Sequence, residues 1–152
     1  MILSIAEILS RNTESAIQMW FDFLQCGERM ASAPMDYEQR CGYLPQVFRE
    51  LISRLQSSQV IGSGEGRVSI AAIKHGLDMR KQGYSAAMLV EESRMLEVSI
   101  FQTLQNHIAS IDFSLVLRGV MAIADEIDSQ LSQAIASYTA ESLIDHRPLT
   151  HS

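Results

Sequence analysis

The chain has 152 residues, 47% of them apolar, and a formal net charge of -6 from 12 Lys and Arg against 18 Asp and Glu. That length buries a core without metal or disulfide support, so one domain is expected, and the lack of a basic excess argues against a broad phosphate-neutralising nucleic-acid footprint. The N-terminal stretch MILSIAEILSRNTESAIQMW has no cationic segment before its apolar residues, no long apolar run and no small-residue cleavage site, which predicts neither signal peptide nor membrane span and points to the cytoplasm.

Ile2, Ile5, Ala6 and Leu9 mark one face of a short first helix, and Asn12 or Thr13 offers the N-cap of a second. The second carries Ile17, Trp20, Phe21, Phe23, Leu24 and Met30 at more than one azimuth. It is therefore buried on two sides or lends one side to a partner chain. Residues 31–42 contain Pro34 and mixed polarity and read as a connector with room for one helical turn. Pro45 then stands where a first-turn proline belongs, and Leu44, Val47, Phe48, Leu51, Ile52 and Leu55 follow amphipathic spacing to a helix end near Ser57. The glycine-rich SSQVIGSGEG that follows reads as a flexible loop. It lacks the preceding strand and the lysine of a phosphate-binding loop.

From Arg67 to Gln82 helical spacing resumes, with Val68, Ala72, His75 and Met79 on one flank and Ile70, Ile73 and Leu77 nearly opposite. Apolar residues on both flanks predict a helix in the middle of a bundle. Gly83 supplies the residue past its end, Ser85 caps the next helix, and Tyr84 is left in the corner between them. Leu89, Leu96, Ile100, Leu104 and His107 or Ile108 give that next helix its face, which Ser93 interrupts. Ser110 or Asp112 starts the last helix, in which Phe113, Leu117, Val120, Ala124, Ile127, Leu131, Ala134 and Tyr138 alternate by four and three. This seam, with Leu117, Val120, Ala124, Ile127, Leu131 and Tyr138, is the predicted dimer interface. Residues 144–152 are expected to form a disordered tail after a domain spanning 1–143. With no period-two alternation anywhere, the fold class is all-α: five to six helices in a four-helix-bundle or globin-like packing with a long C-terminal helix.

Few residues suggest chemistry. Cys26 and Cys41 are too isolated for a disulfide framework, a redox motif or a zinc site, so reduced thiols are expected, and no metal-ligand spacing or catalytic motif is present. His75 lies on an apolar flank with Asp78 one turn later, an i, i+3 pair able to share a proton. A satisfied core histidine is the plain reading. Phosphotransfer at His75 and haem ligation by His75 are the sharper ones, although an acid at Asp78 stands where phosphotransfer domains place a lysine. Arg80 and Arg94 flank the corner, with Glu91 and Glu92 one turn into the following helix, which predicts ion pairs across the corner. The candidate ligand or switch residues are thus His75, Asp78, Arg80, Tyr84 and Arg94, with no catalytic residue and no cofactor.

The same stretch carries a family resemblance. His75-Gly76, Arg80, Gln82-Gly83-Tyr84-Ser85, Leu89-Val90-Glu91-Glu92 and Arg94 resemble the HG…R…QGYS…LV.E..R pattern of the N-terminal sensor domain of RsbT co-antagonist proteins, a domain type also found ahead of some sensor histidine kinases. Leu44-Pro45, Phe48, Leu51 and Leu55 resemble that family's Pro-led helix. Ile127-Asp128, Leu131, Ala134 and Tyr138 resemble the helix that leads into its output module, while Ser93 departs from the aromatic expected before the arginine. The resemblance implies a helical, globin-related or four-helix-bundle sensor that dimerises, without haem or catalytic residues, in stress or two-component signalling. The chain ends soon after the seam, which implies either action in trans on a kinase, a STAS protein or a response regulator, or an excised domain.

Overall fold

A computed structural model describes residues 2–27, 35–57 and 67–145, the last five of these by backbone alone. The predicted loop over Ser57 to Gly66, the tail from His146 and Met30 fall outside the described residues, apart from Ser57 itself. The helices are α1 (Ile5–Arg11), α2 (Thr13–Gln25), α3 (Tyr37–Cys41), α4 (Leu44–Gln56), α5 (Ile70–Lys81), α6 (Ala86–Asn106) and α7 (Val116–Asp145), with 3-10 turns at Ile108–Ser110 and Phe113–Leu115. The fold is all-α, as the spacing predicts, with the long helix last. Among the described residues the one β feature is an isolated parallel bridge between Leu3 and Ile111. α3 is the single turn allowed for in the connector, and α7 runs two residues past the boundary expected at residue 143.

Local chemistry sets the helix starts. Ser4 and Glu7 form a capping box at α1, and Asp36 and Gln39 form another at α3. Pro45 sits in the first turn of α4, while Ser69 and Ser85 accept the Ala72 and Met88 amides at the starts of α5 and α6. Gly83, at φ 84°, takes the left-handed conformation that ends α5, and the Tyr84 amide reaches back to the Met79 carbonyl at 3.0 Å. The predicted corner is therefore built as expected.

The core gathers Ile8, Leu9, Trp20 and Leu24 with Leu44, Phe48 and Leu51, then Leu89, Ile100 and Ile123, all essentially removed from water. α5 packs closely along α7. A Cβ at Gly76 would overlap the Ala134 carbonyl oxygen and Ser137 Oγ, and Ser137 Oγ donates to the Ile73 carbonyl at 2.9 Å. A second polar clamp fixes the start of α5: Gln133 accepts from the Ser69 amide at 2.7 Å and donates to the Arg67 carbonyl at 2.9 Å, while Ser69 Oγ donates to Glu50 at 2.7 Å.

Two expectations about packing change. α5 is not apolar on both flanks in use: Ala72, His75 and Met79 are buried, but Val68 and Ile70 are exposed and Ile73 and Leu77 only half-buried, because α7 covers one side and solvent the other. The predicted seam of α7 also divides. Ile127, Ala134 and Tyr138 are buried inside the chain, Val120, Ala124 and Leu131 are half-buried, and Leu117 is 76% exposed. The residues from Ile127 onward thus serve the chain's own core.

Glu97 on α6 and Asp128 on α7 hydrogen-bond through their side chains, and partial burial together with the Asp128 charge pushes the Glu97 carboxyl up. A carboxyl raised in the folded state stabilises it most at or below its ordinary pKa of 4.5, and that contribution is lost as pH rises through the raised value. Glu97→Gln should therefore raise the Tm at pH 7 and shrink the stability gained on acidification toward pH 5. A thermal-melt series across that range checks this; an unchanged or lower Tm at pH 7 would contradict it.

Candidate functional site

His75 projects from α5 into the crevice between α4, α5, α6 and α7. Its Nε2 meets Glu92 Oε1 at 2.7 Å, and the two side chains are 7% and 2% exposed. The other carboxylate oxygen accepts from the Tyr84 hydroxyl at 3.0 Å. Tyr43 stacks on the imidazole with ring centroids 3.6 Å apart and planes 14° from parallel. Trp20, edge-on to Tyr43, donates its indole N–H to the Glu92 backbone carbonyl at 2.9 Å. Burial and the Glu92 charge raise the phenols of Tyr43 and Tyr84, so both hydroxyls stay protonated donors. Burial likewise pushes the Cys41 thiol up to about 11, so it is a poor nucleophile at neutral pH. Cys26 and Cys41 are both free thiols.

Tyr84 also joins this cluster to the last helix. The Tyr138 hydroxyl donates to the Tyr84 carbonyl at 2.6 Å, and Arg80 Nη1 donates to the Tyr138 oxygen at 3.2 Å with its guanidinium 5.2 Å from the ring centroid. Of the residues singled out from sequence, His75, Arg80, Tyr84 and Tyr138 are therefore brought together. Asp78 and Arg94 are not. Asp78 pairs with Lys74 at 3.2 Å on the outer face of α5, so the partner of His75 is Glu92 rather than Asp78. Arg94 pairs with Glu91 at 2.8 Å within α6, and Arg80 reaches Tyr138 on α7. The physical reason is azimuth. Glu92 stands three residues after Leu89 and four before Leu96, on the buried face of α6, whereas Arg94 points to water.

Sequence reasoning missed Glu92, Tyr43 and Trp20 as members of the cluster. The spacing 89, 92, 96, 99, 103 was available and placed Glu92 among core positions. No sequence signal places Tyr43 over His75, because that contact joins two segments brought together only by packing.

The crevice beside His75 has a volume of about 40 Å³ and is walled by Leu89, Leu96, Ile127, Leu131 and Ala134, with Ser93 and Gln130 as further polar groups. Pockets that hold drug-sized ligands measure roughly 300–1,000 Å³, so this one has no room for a haem. Phosphotransfer fits poorly as well, since Nε2 is engaged by Glu92 and the ring is covered by Tyr43. A larger groove of about 890 Å³ runs between the start of α1, the end of α4 and the start of α7. Its buried cation, Arg54, is held by Asp125 at 2.7 Å. Among the described residues no cluster of His, Cys, Asp and Glu could hold a metal ion, and no helix is long and apolar enough to cross a membrane. No protein-family model, curated protein or solved structure matches the chain.

Proposed function

We propose that the chain is a non-catalytic signal-sensing or regulatory domain of stress or two-component signalling, working in the cytoplasm through dimerisation and contacts with a signalling partner in trans. One observation carries this reading. Phe113, Leu117 and Met121, 69%, 76% and 55% exposed, form an apolar stripe over the turn and first turns leading into the longest helix. Water-facing apolar residues repeating every four positions are what a helix presents when another helix covers it. Phe113 and Leu117 are also residues of the heptad seam, and the chain's own core leaves both uncovered. The buried His75–Glu92 pair supports a regulatory rather than a chemical role, since the imidazole nitrogen facing the acid is already engaged. The resemblance of residues 75–94 to RsbT co-antagonist sensor domains supports the same assignment.

Sedimentation at tens of micromolar tests it. Wild type should be a dimer, and Leu117→Asp, which sits in solvent within one chain, should weaken association by about 100-fold or more, since each buried Leu contributes about 1.5–3 kcal/mol and a two-fold interface loses it twice. A monomeric wild type with no response to Leu117→Asp would refute the dimer. Leu131 is the wrong probe, because it lines the crevice.

A further inference from the structure

We infer that Tyr84 is a conformational latch that couples the buried His75–Glu92 pair to the end of α7. The inference concerns coupling inside one chain and stands independently of the partner proposed above. Three features of the geometry support it. Tyr84 is 2% exposed and is bonded at both of its ends: its hydroxyl donates to Glu92 Oε2 at 3.0 Å, and its carbonyl accepts from Tyr138 at 2.6 Å. The second feature is that Glu92 cannot turn without releasing a partner on α5 and one in the corner, because one oxygen holds Tyr84 and the other meets His75 Nε2. The third is a pivot. Gly83, directly before Tyr84, sits at φ 84° with nothing within 4 Å of where its Cβ would be, so the corner has both the backbone freedom and the space to swing.

The other end of the latch is equally localised. Tyr138 is tied to the corner through the Tyr84 carbonyl and through Arg80, while Thr139 and Ala140 beyond it are exposed. Seating of the final turns of α7 therefore depends on where Tyr84 stands, and Tyr84 stands where Glu92 holds it. A change at the crevice that draws Glu92 away frees the Tyr84 ring, shifts its carbonyl and unseats Tyr138. α7 would then loosen from its C-terminal end up to Ser137, where the contact with Ile73 and Gly76 still holds it on α5.

Amide hydrogen exchange on the full chain tests the latch from both ends. Tyr84→Phe removes only the hydroxyl facing Glu92 and leaves the carbonyl that binds Tyr138. If the latch operates, amides of residues 138–145 should exchange roughly five-fold faster, the factor expected for losing one hydrogen bond. Coupling is reciprocal, so Tyr138→Phe should speed exchange around residues 84–92 by a similar factor. Phe48→Leu, a core change on α4 that removes none of these hydrogen bonds, reports uniform loosening. Faster exchange confined to the mutated end in both variants, or a profile matching that of Phe48→Leu, overturns the latch. Should Tyr84→Phe fail to fold, Tyr138→Phe alone decides, by whether residues 84–92 respond.

Discussion

Glu92→Ala should destabilise the fold by about 3–5 kcal/mol, since it strands two buried polar groups at roughly 1–3 kcal/mol each. Glu92 satisfies two buried groups at once, His75 Nε2 and the Tyr84 hydroxyl. Truncation strands both in a crevice walled by leucine and isoleucine, where an unpaired polar group costs more than the bond itself contributed. For a domain of this size the loss corresponds to a fall in Tm of about 6 °C or more. Glu92→Gln should cost markedly less, since an amide still offers an oxygen to Tyr84 and an N–H to an unprotonated imidazole nitrogen. Denaturant unfolding of the two variants checks this. A loss below about 1 kcal/mol for Glu92→Ala would mean that the pair contributes little, with water replacing the carboxylate.

Gly76→Ala should also destabilise, by about 2 kcal/mol, and here the sign is the test. In an exposed helix interior the same change stabilises by roughly 1 kcal/mol, because glycine loses more backbone freedom on folding. At Gly76 the added methyl meets the Ala134 carbonyl and Ser137 Oγ on α7. Backbone cannot step aside, so the helices must separate, at the roughly 1–3 kcal/mol of an overpacked core, and Ser137 loses its bond to the Ile73 carbonyl. A stabilised Gly76→Ala would show that the α5–α7 contact is looser than this geometry requires. The contact positions Tyr138, so the variant should also weaken its bond to the Tyr84 carbonyl.

Much of the local structure was legible because its causes are local. Ser85 as a cap, Gly83 past the end of α5, Pro45 in a first turn and the spacing of α4 each act within one helical turn, and each stands where the residues predict; the spacing instead puts Ser69, which caps α5, inside that helix. Tyr84 was legible as a corner residue whose ring packs and whose hydroxyl finds a partner, but not which partner. His75 was legible as a buried histidine. Its pairing was misread, because Asp78 is near in sequence while Glu92 is near in space, and a helix carries i and i+3 side chains to different neighbours once one of them faces inward.

The seam of α7 shows the same division. A repeat of four and three records that a helix is covered, and it reads identically whether the covering helix comes from the same chain or another. Ile127 and Tyr138 are covered from within, whereas Leu117 is not. By itself the sequence determined the all-α class, the order of the helices and several of their ends, because propensity, capping and periodicity depend on neighbours a few residues away; the last helix, expected from Ser110 or Asp112, begins only at Val116, after a 3-10 turn that holds Phe113. Only the tertiary structure decided that Glu92 belongs to His75, that Tyr43 covers it and that Tyr138 holds the corner. Those choices depend on which helices pack together and at what rotation, and no local interaction specifies that.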